Sequence, residues 1–446
     1  MSSPQPSLPN RARSHGRAAA SGDERRRVAV QRRSTKGPLE SDIDDPLAES
    51  ASASIPSSSP RRVLSPTRSD APSTSPLSPH DGLTDFPQKD FSFLQDPTSY
   101  HVLPATNVPP PFLNAPSLPS VASPIPDLLK SGHYRLAAIA AARTLVAAIS
   151  PTDHEALFHL LHIRLACLCL ISEHALAAQE SKILGDLSST FYRHPLTDAH
   201  LVPWSLRLLT VRLAALGYGE WRKGIMGYYE LARECREDIV KAESEEDKSL
   251  WKARLRECGI RVANVLVEMG ELEGAGRHLG TLTSSKDSNA DSQESRDIII
   301  MEALVWLRVG DVRAARRCLS AASTLSPDDK LDGAINALFA MADSDHVSAV
   351  SRWKDLHEKH PDDAMITQNL AVSLLYIGRI SDARKLLAEL TDTSPPFHSL
   401  VFNLSTIYEL CTERNRDRKA ALAEKLAARK GDGSVGWEIG MSEFKL

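Results

Sequence analysis

The residues in this 446-residue sequence that could carry chemistry are its glycines, histidines and cysteines, and their spacing limits what they can do. Gly431-Asp-Gly433-Ser-Val-Gly436 matches the G-x-G-x-x-G spacing of a dinucleotide-binding turn. That chemistry needs the loop to join a strand to a helix N-terminus, so that backbone N–H groups point at a pyrophosphate. Here the glycines follow a helical stretch, and they read as a flexible linker. His154-Glu-Ala-Leu-Phe-His159 is one residue longer than the H-E-x-x-H zinc motif, and residues five apart do not share a helix face. His159 and His162 do share one, but no third ligand joins them, and they read as packing residues. Six cysteines, at 167, 169, 235, 258, 318 and 411, fall inside helical patterns with no C-x-x-C pair, as small buried thiols do. No phosphate-binding loop, nucleophile elbow or paired catalytic carboxylates occur in a suitable setting. The sequence therefore predicts a protein that is not an enzyme, with no catalytic residue, cofactor or bound metal.

Composition agrees with a helical scaffold. Aromatic residues make up only 5%, and the strong helix formers Ala and Leu are abundant. A net charge of −4 gives no basic domain for nucleic acid, so no nucleic-acid partner is expected. Arg and His interrupt every apolar run before it could span a bilayer. The start has no secretory signal, which suggests a reducing, cytosolic setting.

Residues 1–84 read as a disordered tail, because Ser, Pro, Arg and Asp dominate and apolar residues occur singly. Arg11, Arg13, Arg17, Arg25, Arg26, Arg27, Arg32, Arg33 and Lys36 make its start basic, and Ser59, Ser65, Ser75 and Ser78, like Ser123 further on, precede prolines. Residues 85–124 differ: Phe86, Phe91, Phe93, Leu94, Tyr100 and Phe112 are large anchors in a polar, proline-rich stretch. Such anchors predict a segment that orders on docking, either on this chain or on a partner.

The elements that position everything else show a period of 34. Pro327, Pro361 and Pro395 are spaced 34 apart, as are Ala303, Ala337 and Ala371, and Ala315, Ala349 and Ala383. Gly310 and Gly378 are two periods apart, with Ser344 midway. Each position has a physical role in a helix–turn–helix unit. The two alanine series sit where neighbouring helices cross too closely for a large side chain. Gly ends the first helix, and Pro ends the second. Trp306, Leu319, Trp353 and Leu387 fill the space between. Ala263, Gly270 and Ala275 repeat the same internal spacing at an offset of 40, with the polar stretch 284–295 as a surface loop. Gly219–Gly224 and Gly132–Ala137 extend the pattern upstream, and Val401–Tyr408 with Asp417–Lys430 extends it downstream, the last helix acting as a polar cap. The period is that of the tetratricopeptide repeat (TPR). The predicted fold is all-α: a TPR-type α-solenoid over 125–430, preceded by the long disordered tail and followed by a C-terminal tail, 431–446.

Three segments narrow the resemblance. Asn369-Leu-Ala-Val-Ser-Leu-Leu-Tyr-Ile-Gly378, Leu400-Val-Phe-Asn-Leu-Ser-Thr-Ile-Tyr-Glu-Leu410 and Leu201-Val-Pro-Trp-Ser-Leu-Arg-Leu-Leu209 resemble the subunit 12 family of the trafficking protein particle (TRAPP) complexes. The resemblance implies a peripheral, non-catalytic adaptor of a TRAPP III-type vesicle tether, acting in ER-to-Golgi transport and autophagy. It implies other TRAPP subunits as partners, especially the large peripheral ones, and indirectly a Rab-family small GTPase whose nucleotide exchange the core subunits perform. It also implies a cytoplasmic location, with peripheral association at Golgi and ER–Golgi intermediate membranes through the complex. The alternative is a TPR co-chaperone or another TPR assembly adaptor. Co-chaperone clamps place Lys four residues before a groove Asn, and here Met365 and Ser399 precede Asn369 and Asn403.

Overall fold

The computed structural model describes residues 89–283, 292–431 and 435–446. The 1–84 tail, Phe86 and most of the 284–295 loop lie outside those residues. Among the described residues the chain forms α-helices and no strand, with one isolated bridge between Arg193 and His200. A short helix α1 (Pro110–Leu113) precedes the array. Eight helix–turn–helix pairs follow among the described residues. The first four are α2 (Ile125–Lys130) with α3 (Tyr134–Ala147), α4 (His154–Leu170) with α5 (His174–Ser181), α6 (Trp204–Tyr218) with α7 (Trp221–Lys241), and α8 (Glu245–Glu268) with α9 (Leu272–Thr283). They continue as α10 (Ser292–Val309) with α11 (Val312–Leu325), α12 (Asp329–Ala342) with α13 (His346–Lys359), α14 (Ala364–Tyr376) with α15 (Ile380–Thr393), and α16 (His398–Cys411) with α17 (Asn415–Ala427). A last short helix, α18 (Met441–Phe444), closes the chain.

The turns inside the pairs explain the glycine spacing. Gly310 and Gly378 take φ of +94° and +81°, which ends a helix in the left-handed region at little steric cost. Ser344 occupies the same slot at +62°. In all three turns the next N–H folds back to the preceding helix: Asp311 to the Trp306 carbonyl, Asp345 to Ala340 and Arg379 to Leu374, at 2.9–3.0 Å. Asp311 and Asp345 also start the following helices, because their carboxylates accept from Ala314 N–H and Ser348 N–H. One residue thus serves a helix end and a helix start, which makes the turn short.

Packing explains the alanine spacing. Ala303, Ala315, Ala337, Ala349, Ala371 and Ala383 are all fully buried. Trp353 and Leu387 are buried beside them, and one apolar cluster runs from α12 through α17. Gly224, in the corresponding slot of α7, lies so close to α6 that a Cβ would sit 2.9 Å from that of Ala215. The period continues to Ser405, which takes the buried alanine position in α16 with its hydroxyl unpartnered among the described residues.

Two expectations change. Ser292–Ser295, expected in the surface loop, form the first turn of α10. The helix expected as a polar cap, α17, buries Leu422, Ala423, Leu426 and Ala427, because further chain covers it.

Replacing Ala371 with Leu should overpack the crossing and lower unfolding stability by about 1–3 kcal/mol in urea titration. Ser405→Ala should act in the opposite direction, gaining about 1 kcal/mol by removing a buried hydroxyl with no partner. Unchanged stability in the Ala371 variant would contradict this register of the repeat.

Candidate docking surfaces

Chemistry-bearing residues stay dispersed in the folded chain. Among the described residues no group of three His, Cys, Asp or Glu side chains is arranged to hold a metal. All six cysteines are free thiols. Burial pushes Cys167 up to about 12, and Cys169 and Cys318 up to about 11, so all three stay protonated at neutral pH. Burial, and then the charge of His159, lowers the pKa of His162. Gly431 and Gly436 flank a stretch outside the described residues, and a Cβ on Gly431 would overlap the Ser131 carbonyl, so this glycine serves close packing.

The described aromatic anchors of the 85–124 segment pack within the chain. Phe91 is 1% exposed and meets Phe158 edge-on at 5.2 Å, beside Phe191 and Tyr192. Leu94 is buried with it, and Tyr100 Oη donates to the Leu94 carbonyl at 2.6 Å. Gln95 Nε2 donates to the carbonyls of Leu145 and Ile149, which satisfies acceptors left at the end of α3. Further along, Phe112 leaves this N-terminal core for the C-terminal one, where it packs on Trp437 and Phe444 at 5.2 and 6.1 Å. Phe93 is half-buried. Of the large apolar side chains described in this segment, Val102, Leu113 and Leu118 stay exposed.

A buried ion pair fixes the path of the segment. Arg164 on α4 and Glu180 on α5 are bidentate at 2.9 and 2.7 Å, with side chains 2% and 0% exposed. Arg164 also donates to the carbonyls of Ala138 and His101, and Glu180 accepts the His101 N–H at 2.9 Å. Every charge-bearing arm therefore has a partner, and one of those partners is the backbone of the docked segment.

Sequence reasoning did not single out residues 435–446. Trp437, Ile439 and Phe444 are buried against α16, α17 and α1. Trp437 N–H donates to the Gly132 carbonyl at 3.0 Å, Met441 N–H to that of Asn107 at 2.8 Å, and Arg135 pairs with Glu438 at 2.8 Å. The first helix pair and the last are thereby joined through this strap. The alternation of Trp437, Ile439 and Met441 is the signal that was available for it.

An apolar face is open on the C-terminal repeats. Successive first helices expose Met365 and Tyr376 on α14, and Phe402 and Leu410 on α16. Between them Val372, Leu375, Tyr376, Leu387, Asn403, Thr406 and Ile407 line a cavity of about 220 Å³. Asn369 uses its amide to donate to the Met365 carbonyl of its own helix. The repeat landmarks Pro327, Pro361 and Pro395 sit in the links between pairs.

No family model matches the chain. Two curated proteins do. Trafficking protein particle complex subunit 12 of Mus musculus is 23% identical over 315 residues, covering 63% of this chain and 39% of that protein. The Homo sapiens protein of the same name is 23% identical over 304 residues, covering 60% and 40%. This chain is similar to subunit 12 of the trafficking protein particle complex. That bears out the resemblance read from the sequence, and the match spans about two-fifths of each relative. A tetratricopeptide repeat protein from Parabacteroides merdae superposes with a TM-score of 0.38 at 13% identity, over 60% of this chain and 91% of that one.

Glu180→Ala leaves Arg164 as an uncompensated buried charge and should cost about 3–5 kcal/mol in denaturant unfolding. A loss below about 1 kcal/mol, the size of an exposed pair, would show that the pair does not hold the segment.

Proposed function

We propose that this chain is a non-catalytic scaffold subunit of a TRAPP-type vesicle-tethering complex. The observation that carries the proposal is its sequence similarity to subunit 12, whose name places that relative in a trafficking protein particle complex. Two structural features support a scaffold role. Stacked helix pairs give an extended, rigid surface, which suits holding several partners at once. The open apolar face of α14 and α16, with Tyr376 64% and Leu410 60% exposed, is of the kind that takes a partner helix.

On this reading the chain contributes binding, and nucleotide exchange on a Rab-family GTPase belongs to other subunits. The partners are then other TRAPP subunits, chiefly the large peripheral ones, in a TRAPP III-type assembly serving ER-to-Golgi transport and autophagy. Membrane association is peripheral, at Golgi and ER–Golgi intermediate membranes, and passes through the complex. No helix among the described residues is long and apolar enough to cross a membrane, so none competes with that reading. The co-chaperone alternative gains nothing from Asn369, whose amide is bonded to its own helix.

Affinity capture of the tagged full chain, followed by mass spectrometry, should recover TRAPP subunits in stoichiometric amounts. The combined Tyr376→Ser, Phe402→Ser and Leu410→Ser variant should lose them, with a circular-dichroism melt to check that it stays folded without the Tyr376–His346 stack and the Lys445–Phe402 contact. Recovery of chaperones in place of TRAPP subunits would overturn the proposal.

A further inference from the structure

The connection 193–203, the end of α7 and the start of α8 enclose a cavity of about 520 Å³ that neither the repeat pattern nor the tether reading explains. Two of the helices that line it are long: α7 has 21 residues and α8 has 24, against 14 for α12 and α13. Two tryptophans form one wall. Trp204 and Trp251 stand perpendicular with centroids 6.3 Å apart. The Arg254 guanidinium lies over both rings, at 5.2 and 4.5 Å, and that of Arg207 lies over Trp204 at 5.5 Å.

The charges lining the cavity pair off unevenly. Glu234 serves both Arg207 and Arg193, and Arg193 also reaches Asp198 at 3.5 Å. Asp238 pairs with Lys241 at 3.6 Å, and Asp247 accepts from the Ser244 hydroxyl at 2.9 Å. His200 is engaged at both nitrogens, by the Val202 N–H and the Leu187 carbonyl, and burial lowers its pKa. Arg254 is left with no ion pair or hydrogen bond among the described residues. Arg207 has a side chain 8% exposed, and its Nε is buried without an acceptor. The Arg254 side chain is half-buried, and its guanidinium donors lie open to a carboxylate entering from outside.

We propose that this cavity binds an acidic peptide of a partner protein, with one carboxylate on Arg254 and the adjoining side chain against Trp204 and Trp251. The volume exceeds what a carboxylate alone needs, and the indole wall suits an apolar neighbour. Arg254 offers one guanidinium, which matches one carboxylate. Asp198, Glu234, Asp238 and Asp247 oppose any added negative charge, which disfavours a phosphate dianion or an anionic membrane surface more than a single carboxylate held on Arg254.

The test selects a random heptapeptide library against the intact full chain and measures the best peptide by fluorescence anisotropy. Enriched peptides should carry Asp or Glu beside an apolar residue. Changing that acid to its amide should weaken binding by about tenfold or more, as expected for a hydrogen-bonded charge. Arg254→Gln should do the same at an unchanged melting temperature. The peptide-side change leaves the protein untouched and keeps the test decisive if the variant misfolds. Absence of enrichment, enrichment without acids, or full binding by a folded Arg254→Gln variant would overturn the proposal. So would tighter binding of the phosphoserine peptide, displacement by equimolar inorganic phosphate, or Arg254-dependent capture on phosphatidylserine vesicles.

Discussion

A helix pair of this kind cannot bury its apolar surface alone; it does so against the next pair, and an array therefore leaves two apolar end faces. Covering those faces is the constraint on which the rest of this structure depends. The chain meets it with its own non-repeating segments. Phe91, Leu94 and Leu103 cover the first pairs, Val108 and Phe112 cross to the last, and Trp437, Ile439 and Phe444 complete that end. Arg135 is a crossing point of the two coverings, since it pairs with Glu438 and donates to the Pro104 carbonyl. The first and last pairs are held by one set of contacts, so motion at one end is coupled to the other.

This closure determines which surfaces a partner can use. Phe91 and Phe112, upstream of the array, are not free ends awaiting a partner, because their burial stabilises the array itself. Exposed apolar surface remains instead on successive first helices near Tyr376 and Leu410. A scaffold built this way offers a stiff surface, with little ordering entropy lost on binding.

What the sequence made legible follows from how local the cause is. Ala303, Ala337 and Ala371 were readable because a close helix crossing demands a small residue at one position in every unit, and Gly310 and Gly378 because a left-handed turn favours glycine. The strap 435–446 was hidden because it occurs once and follows a glycine-rich stretch that reads as linker. Arg164 and Glu180 were hidden because their third partner is the His101 backbone, which no side-chain pattern encodes. The cavity at Arg254 was hidden for a similar reason: Arg193, Trp204, Glu234 and Arg254 come from separate elements, and only folding brings them together. The Ser292–Ser295 turn was misread because its polar composition resembles a loop, yet helix α10 continues through it.

Closure of the array is tested most directly by hydrogen exchange at two amides. Trp437 N–H is bonded to the carbonyl of Gly132 in the first helix pair, and Met441 N–H to that of Asn107 in the segment that crosses between the two ends. The account predicts that both exchange slowly, together with the amides of α16, as one cooperative unit. Exchange of both at the rate of an open chain, while α16 stays protected, would contradict it.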